Sequence, residues 1–246
     1  MGCLRYGLLF FGLSCCVLIG PAKAQSNPVK DCQSADVDSL QNSDVVSTVK
    51  ICTEALASSG NSPSTIADLL LARGVAFRNA GALDLSLEDL NKSVELAPQS
   101  SSHLRMRAWT LREMGKLPDA LRDYDRVLKM GREPQGLLSR CNVLIGMGEL
   151  PRALADCEES LEAYRNPDSL FITAFIHDKL DAPDQAIALL QEAVARNDAE
   201  ARSFLLLSQI VARKGDHELA INIVKDGLQK YPKDELLIDE QAKLAK

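Results

Sequence analysis

Three pairs of opposite charge, Arg73 with Asp89, Arg107 with Asp123 and Arg140 with Asp156, each stand 16 residues apart. Such pairs serve either proton chemistry or an ion-pair clasp, and the choice depends on what lies near them. Bases that titrate near neutral pH are scarce, because His103, His177 and His217 are the only histidines and fall in separate stretches of the chain. Adjacent carboxylates such as Glu158 and Glu159 read as a charged helix exterior. There is no G-x-S-x-G elbow, no G-x-x-x-x-G-K-[ST] phosphate loop and no H-E-x-x-H pattern. No set of nucleophile, base and orienting group emerges, so no catalytic residue is assigned and an enzyme is not expected.

What the cysteines can do depends on compartment, which the N-terminus addresses. Arg5 precedes an apolar stretch from Tyr6 to Gly20, and Ala22-Lys23-Ala24 places small residues before Gln25. That is the pattern of a secretory signal peptide, 1–24, cleaved after Ala24. A retained anchor fits less well, since the run is shorter than the ~20 residues of a spanning helix. A lipoprotein signal fits less well still, because Cys15 and not a small residue precedes Cys16. The expectation is a periplasmic or secreted bacterial protein with no stable membrane insertion, the source being read from the short signal and its AKA-Q junction.

Cys32, Cys52, Cys141 and Cys157 would remain after cleavage, and four cysteines in an oxidising compartment allow three pairings. Cys32 with Cys52 would pin the N-terminal segment to the first helix, and Cys141 with Cys157 would join two helices of one unit. In the alternative, Cys141 and Cys157 are small buried apolar residues. No C-x-x-C pair or neighbouring histidine completes a metal site, so neither metal nor cofactor is implied.

The elements that would hold these residues recur with a period near 34. Five segments, 67–100, 101–133, 134–166, 167–200 and 201–234, align with small and apolar residues in register. Each reads as an apolar helix, a turn at Gly81, Gly115, Gly148, Asp181 or Gly215, and a second apolar helix. Five residues after the turn stands a small residue, Ser86, Ala120, Ala153, Ala186 or Ala220, where helix backbones must approach. The Arg/Asp pairs occupy equivalent positions on the two helices of units one to three. In units four and five those positions hold Thr173 with Leu189, and Leu207 with Ile223. Both members change together, which favours a structural clasp over chemistry. His177 falls on the core side of its helix, and His103 and His217 are expected in solvent.

Gly74, Phe77, Ser86, Leu90 and Pro98 in the first unit, with Ala108, Leu111, Ala120 and Tyr124 in the second, match the small and large positions of one repeat motif. On these residues about two thirds of the chain resembles the tetratricopeptide repeat family, with departures at Cys141 and His177. The resemblance implies an all-α fold, a right-handed α-solenoid of stacked antiparallel helix pairs, and a function in binding proteins or peptides. It also implies that the first helix of each pair lines a concave groove. Inward positions are then Leu71, Val75 and Arg78, followed by Arg105, Trp109 and Arg112, by Leu138 and Asn142, by Phe171, Phe175 and Asp178, and by Arg202, Gln209 and Arg213. Trp109, the only tryptophan, with Arg105 and Arg112 one turn to either side, is the foremost recognition candidate. Phe171 and Phe175 are expected to form a second, apolar pocket. The alternative is that these side chains pack on a neighbouring helix. Only Asn142 fits the Lys and Asn pattern with which family members hold a terminal carboxylate.

The ends should close the array. Residues 25–43 read as a tether or partial cap, 44–66 as an incomplete leading repeat with a loop at Gly60 to Ser64, and 235–246 as a polar-faced capping helix. The full sequence carries 28 basic and 34 acidic residues, a net charge of −6, and loss of 1–24 makes it more acidic. An acidic surface repels phosphate backbones and argues against a nucleic-acid partner. The expectation is a non-enzymatic adaptor or scaffold in the bacterial periplasm. Alternatives are recruitment or regulation of cell-envelope enzymes such as peptidoglycan hydrolases, and homo-oligomerisation through exposed repeat faces.

Overall fold

A computed structural model of the chain describes residues 27–34, 42–196 and 198–245. The expected signal peptide lies outside the described residues, as do residues 25, 26 and 35–41 of the tether and Lys246. The described residues form thirteen helices and no strand. Two leading helices, α1 (Pro28–Gln33) and α2 (Asn42–Ala57), precede five antiparallel pairs. These are α3 (Pro63–Asn79) with α4 (Leu83–Leu96), α5 (Ser101–Glu113) with α6 (Leu117–Met130), and α7 (Pro134–Gly146) with α8 (Leu150–Ala163). They continue with α9 (Pro167–Lys179) and α10 (Pro183–Val194), then α11 (Ala201–Arg213) and α12 (His217–Lys230), and end at α13 (Glu235–Leu244). The fold is an all-α solenoid.

Local chemistry explains the boundaries. Each intra-pair turn places one residue in the left-handed region, with φ of 75°, 73°, 76°, 58° and 94° at Gly81, Gly115, Gly148, Asp181 and Gly215. Asp181 is the one side chain among the described residues that adopts this conformation, which aspartate tolerates better than most residues. α3 begins at Pro63, inside the expected loop and four residues before the expected unit boundary. Ser62 Oγ accepts the Thr65 amide at 3.1 Å, and proline at the first helical position is already preset for the helix. At α9 the same logic takes the form of a reciprocal cap between Asn166 and Ser169.

Packing is sequential: each helix touches its chain neighbours, and successive first helices also touch one another. Among the described residues, successive second helices do not. The first helices are therefore crowded on the inner side of the stack. Ser86, Ala120, Ala153, Ala186 and Ala220 are wholly buried, which is what close helix approach at those positions requires. A β-carbon at Gly74 would stand 2.9 Å from Leu90 Cγ, and one at Gly227 would stand 2.9 Å from Phe204 Cβ. Between the layers runs a series of apolar clusters, from Cys32, Cys52 and Leu69 at one end to Phe204 and Leu237 at the other.

Val75, expected on the groove, is instead 2 % exposed in this core. His103, expected in solvent, is 3 % exposed: Nδ1 lies 2.8 Å from Ser93 Oγ, and Nε2 lies 3.2 Å from Asp68. Neither difference can be read from the period alone, because burial depends on which neighbouring helices each side chain meets. His177 is largely covered, with Nε2 3.5 Å from Glu158, and His217 is exposed.

Cys32 is joined to Cys52 and Cys141 to Cys157 by disulfides. The first ties α1 to α2, and the second staples α7 to α8. Each Arg/Asp pair is a two-point contact. Arg73 Nε and Nη2 donate to Asp89 at 2.7 and 2.8 Å, Arg107 does the same to Asp123 at 2.7 and 2.8 Å, and Arg140 donates twice to Asp156 at 2.7 Å. The remaining guanidinium nitrogen reaches into the preceding unit, to Thr53, Asn91 and Asp125 respectively. One residue type thus ties a helix to its partner and to the previous repeat.

Candidate functional site

On the inner face, helices α5, α7 and α9 frame a cavity of about 350 Å³. α5 contributes Arg105, Met106, Trp109 and Arg112, whose spacing places them on one side of that helix. α7 contributes Gln135, Leu138, Ser139 and Asn142, and α9 contributes Asp168 and Ile172. Tyr124 reaches the cavity from α6, behind them. The site therefore exists only when three consecutive repeats are stacked.

Trp109 is its centre. The Arg78 guanidinium, from α3, lies 3.8 Å from the centroid of the Trp109 ring, a cation–π stack. Arg78 is itself buried and donates to Asn79 Oδ1. The indole Nε1–H of Trp109 is buried and meets no hydrogen-bond acceptor among the described residues. Burial pushes the Tyr124 phenol up from its usual range, against the opposing pull of Arg112, Ser139, Arg105 and Arg78. Asn142 donates to the Leu138 carbonyl at 2.9 Å, so its amide is already engaged.

The remaining groove candidates are engaged elsewhere. The expected apolar pocket of Phe171 and Phe175 is replaced by two cation–π stacks. Arg202 lies 4.5 Å from the Phe171 ring, which packs on the core of the last units, and Lys179 lies 5.3 Å from Phe175. Arg202 also pairs with Asp168 and Glu200, and Arg213 pairs with Asp178. Gln209 donates to Glu240 of α13 at 3.5 Å, joining the last groove helix to the cap. The groove is thus internally neutralised in units four and five and left open in unit two.

Met106, Gln135, Ser139, Asp168 and Ile172 escaped the sequence reading, although a 33-residue offset links Met106 to Ser139 and Ile172, and Gln135 to Asp168. Tyr124 carried no such signal, since it belongs to a second helix and reaches the site between two first helices. Among the described residues no group of His, Cys, Asp or Glu is placed to hold a metal ion, and no helix is long and apolar enough to cross a membrane.

No curated protein matches the sequence. Among solved structures, PilW, a type IV pilus biogenesis factor, superposes with a TM-score of 0.74 at 17% identity, covering 87% of this chain and 99% of its own. PilF of Pseudomonas aeruginosa superposes with a TM-score of 0.70 at 18% identity, covering 88% and 100%. YrrB, described as a TPR protein with an unusual peptide-binding site, gives 0.60 at 14% identity, covering 79% and 99%. At these identities the likeness is one of fold. A tetratricopeptide repeat model matches residues 105–166 and 177–235, and with the stacked helix pairs and their left-handed turns it follows that the chain belongs to the tetratricopeptide repeat family.

Proposed function

We propose that this protein is an exported, non-enzymatic adaptor that holds a segment of a partner protein in its groove, with the Trp109 pocket as the anchor. The observation that carries this reading is the cavity itself. It is concave, built from three successive repeats, and lined by apolar side chains together with Arg105 and Arg112. Trp and Arg are the side chains that most often dominate binding energy at protein interfaces. The peptide-binding site named for YrrB is consistent with a groove used in this way. Export is supported by the signal-like N-terminus and by two disulfides, which persist in oxidising compartments.

A photo-crosslinking residue at Ser139, on the pocket wall, tests the site in intact cells. A discrete adduct that disappears when Trp109→Ala is added is the expected result. A crosslinker at the exposed Glu162 on α8 is the control. Adducts indifferent to Trp109, or formed equally at Glu162, would remove the groove as the binding surface. Fractionation of the same cells tests export.

A further inference from the structure

We infer that the Trp109 pocket selects an acidic segment of an extended polypeptide, with one carboxylate on Arg105, a second on Arg112, and an apolar side chain between them against Trp109. This rests on the groove reading above and adds the chemistry of the occupant. Of the fourteen arginines among the described residues, eleven lie within 4.0 Å of a carboxylate. Arg105 and Arg112 pair with none, and both stand on the wall of the same cavity.

The groups facing the cavity include two arginines and a single carboxylate. Trp109 adds an apolar indole face between the two arginines, its covered N–H meeting no acceptor among the described residues. The one carboxylate on the wall, Asp168, is held by Arg202. Farther along the groove the arginines are neutralised by the chain's own aspartates, so the unbalanced positive charge is local to unit two. On a chain of net charge −6 such an island favours an anionic partner segment at this place and repels it elsewhere.

Spacing favours two separated carboxylates over one doubly charged group. Seven residues of helix separate Arg105 from Arg112, about 10.5 Å of rise. A chain in the polyproline II conformation covers about 9 Å in three residues and brings every third side chain back to the same face. Carboxylates at positions i and i+3 therefore match the two guanidiniums, each of which is suited to two-point contact with a carboxylate.

The test uses the full mature chain and end-blocked, fluorescein-labelled Ser-Glu-Leu-Gly-Glu-Ser, with a twin carrying Gln for both Glu and a twin carrying phosphoserine for both. The expected result is binding of the Glu peptide that weakens with added salt and is about tenfold tighter than that of the Gln twin. Arg105→Gln with Arg112→Gln should erase that difference at unchanged helicity. Trp109→Ala removes the apolar wall between the two arginines, and should weaken the Glu peptide severalfold. Equal binding of Glu and Gln peptides would overturn the acidic preference while leaving the groove in use. Failure of the Glu peptide to bind, with the Ser139 adduct still dependent on Trp109, would overturn it as well. Tighter binding of the phosphoserine twin would overturn it in favour of phosphate.

Discussion

At Asp89, Asp123 and Asp156 a carboxylate is almost wholly removed from water, with side-chain exposures of 5, 5 and 6 %, and is held by two guanidinium nitrogens. Their hydrogen bonds also hold the Arg73 and Arg140 guanidiniums above the ordinary arginine range. Removing one partner leaves a covered charge unmatched, which costs about 3 kcal/mol. Asp123→Ala should therefore lower stability by about that amount in urea unfolding, while Arg107→Leu with Asp123→Leu recovers most of it. Leu207 beside Ile223 already fills those positions in the fifth unit. Asp156→Ala should cost less, because Arg140 retains Asp125. Tyr124 supplies a pH dependence of known sign. Its phenol is raised in the folded chain, so the neutral form is the one the fold accepts. Its contribution is intact below the ordinary tyrosine pKa and is lost as pH rises through the raised value. Alkaline unfolding should accordingly be delayed in Tyr124→Phe, and ultraviolet titration should show a tyrosine ionising above the ordinary range that is missing from that variant.

Helix pairs carry the next level of organisation, and the turn within each pair is its most constrained point. Asp181 adopts a left-handed φ of 58° where the other four turns use glycine. Asp181→Gly should raise the unfolding midpoint, by about 0.5–1 kcal/mol once glycine's greater unfolded freedom is offset. A midpoint that falls would show that the carboxylate makes a contact worth more than the strain. Within the third pair, the Cys141–Cys157 bridge closes a loop of 16 residues between α7 and α8. Replacing both cysteines with alanine should cost about 3 kcal/mol in the unfolded-chain account. Because α7 supplies Leu138, Ser139 and Asn142 to the cavity, the same variant should bind the acidic peptide with reduced affinity at temperatures well below its unfolding midpoint.

For the whole molecule, stability is passed from repeat to neighbouring repeat, so an end must be closed. α13 does this at the C-terminus: Leu237 is fully buried against Phe204 and Ala199, and Glu240 meets Gln209. Deleting residues 235–246 should raise amide hydrogen exchange in α11 and α12 strongly and in α5 to α8 little. A uniform rise along the chain would mean that the array unfolds as a single cooperative unit. At the other end Cys32–Cys52 secures α1 on α2, a short helix that has little apolar surface of its own to bury.

The period, the turn residues and the small positions five residues beyond them were legible in the sequence, because a stacked array imposes the same steric demand on every unit. The paired substitution of Arg and Asp in later units was legible for the same reason, since residues that touch must change together. Trp109, Arg105 and Arg112 could be placed on one face by helical spacing alone. That Arg78 stacks on Trp109, that Tyr124 enters from behind, and that Arg202 and Arg213 are neutralised by aspartates a full repeat away were decided by tertiary structure. The Arg78, Arg202 and Arg213 contacts join residues 31 to 35 positions apart, across helices whose relative rotation is set by how the side chains between them pack. A repeating sequence determines that there is a groove; the packing of three particular repeats determines which of its charges are left for a partner.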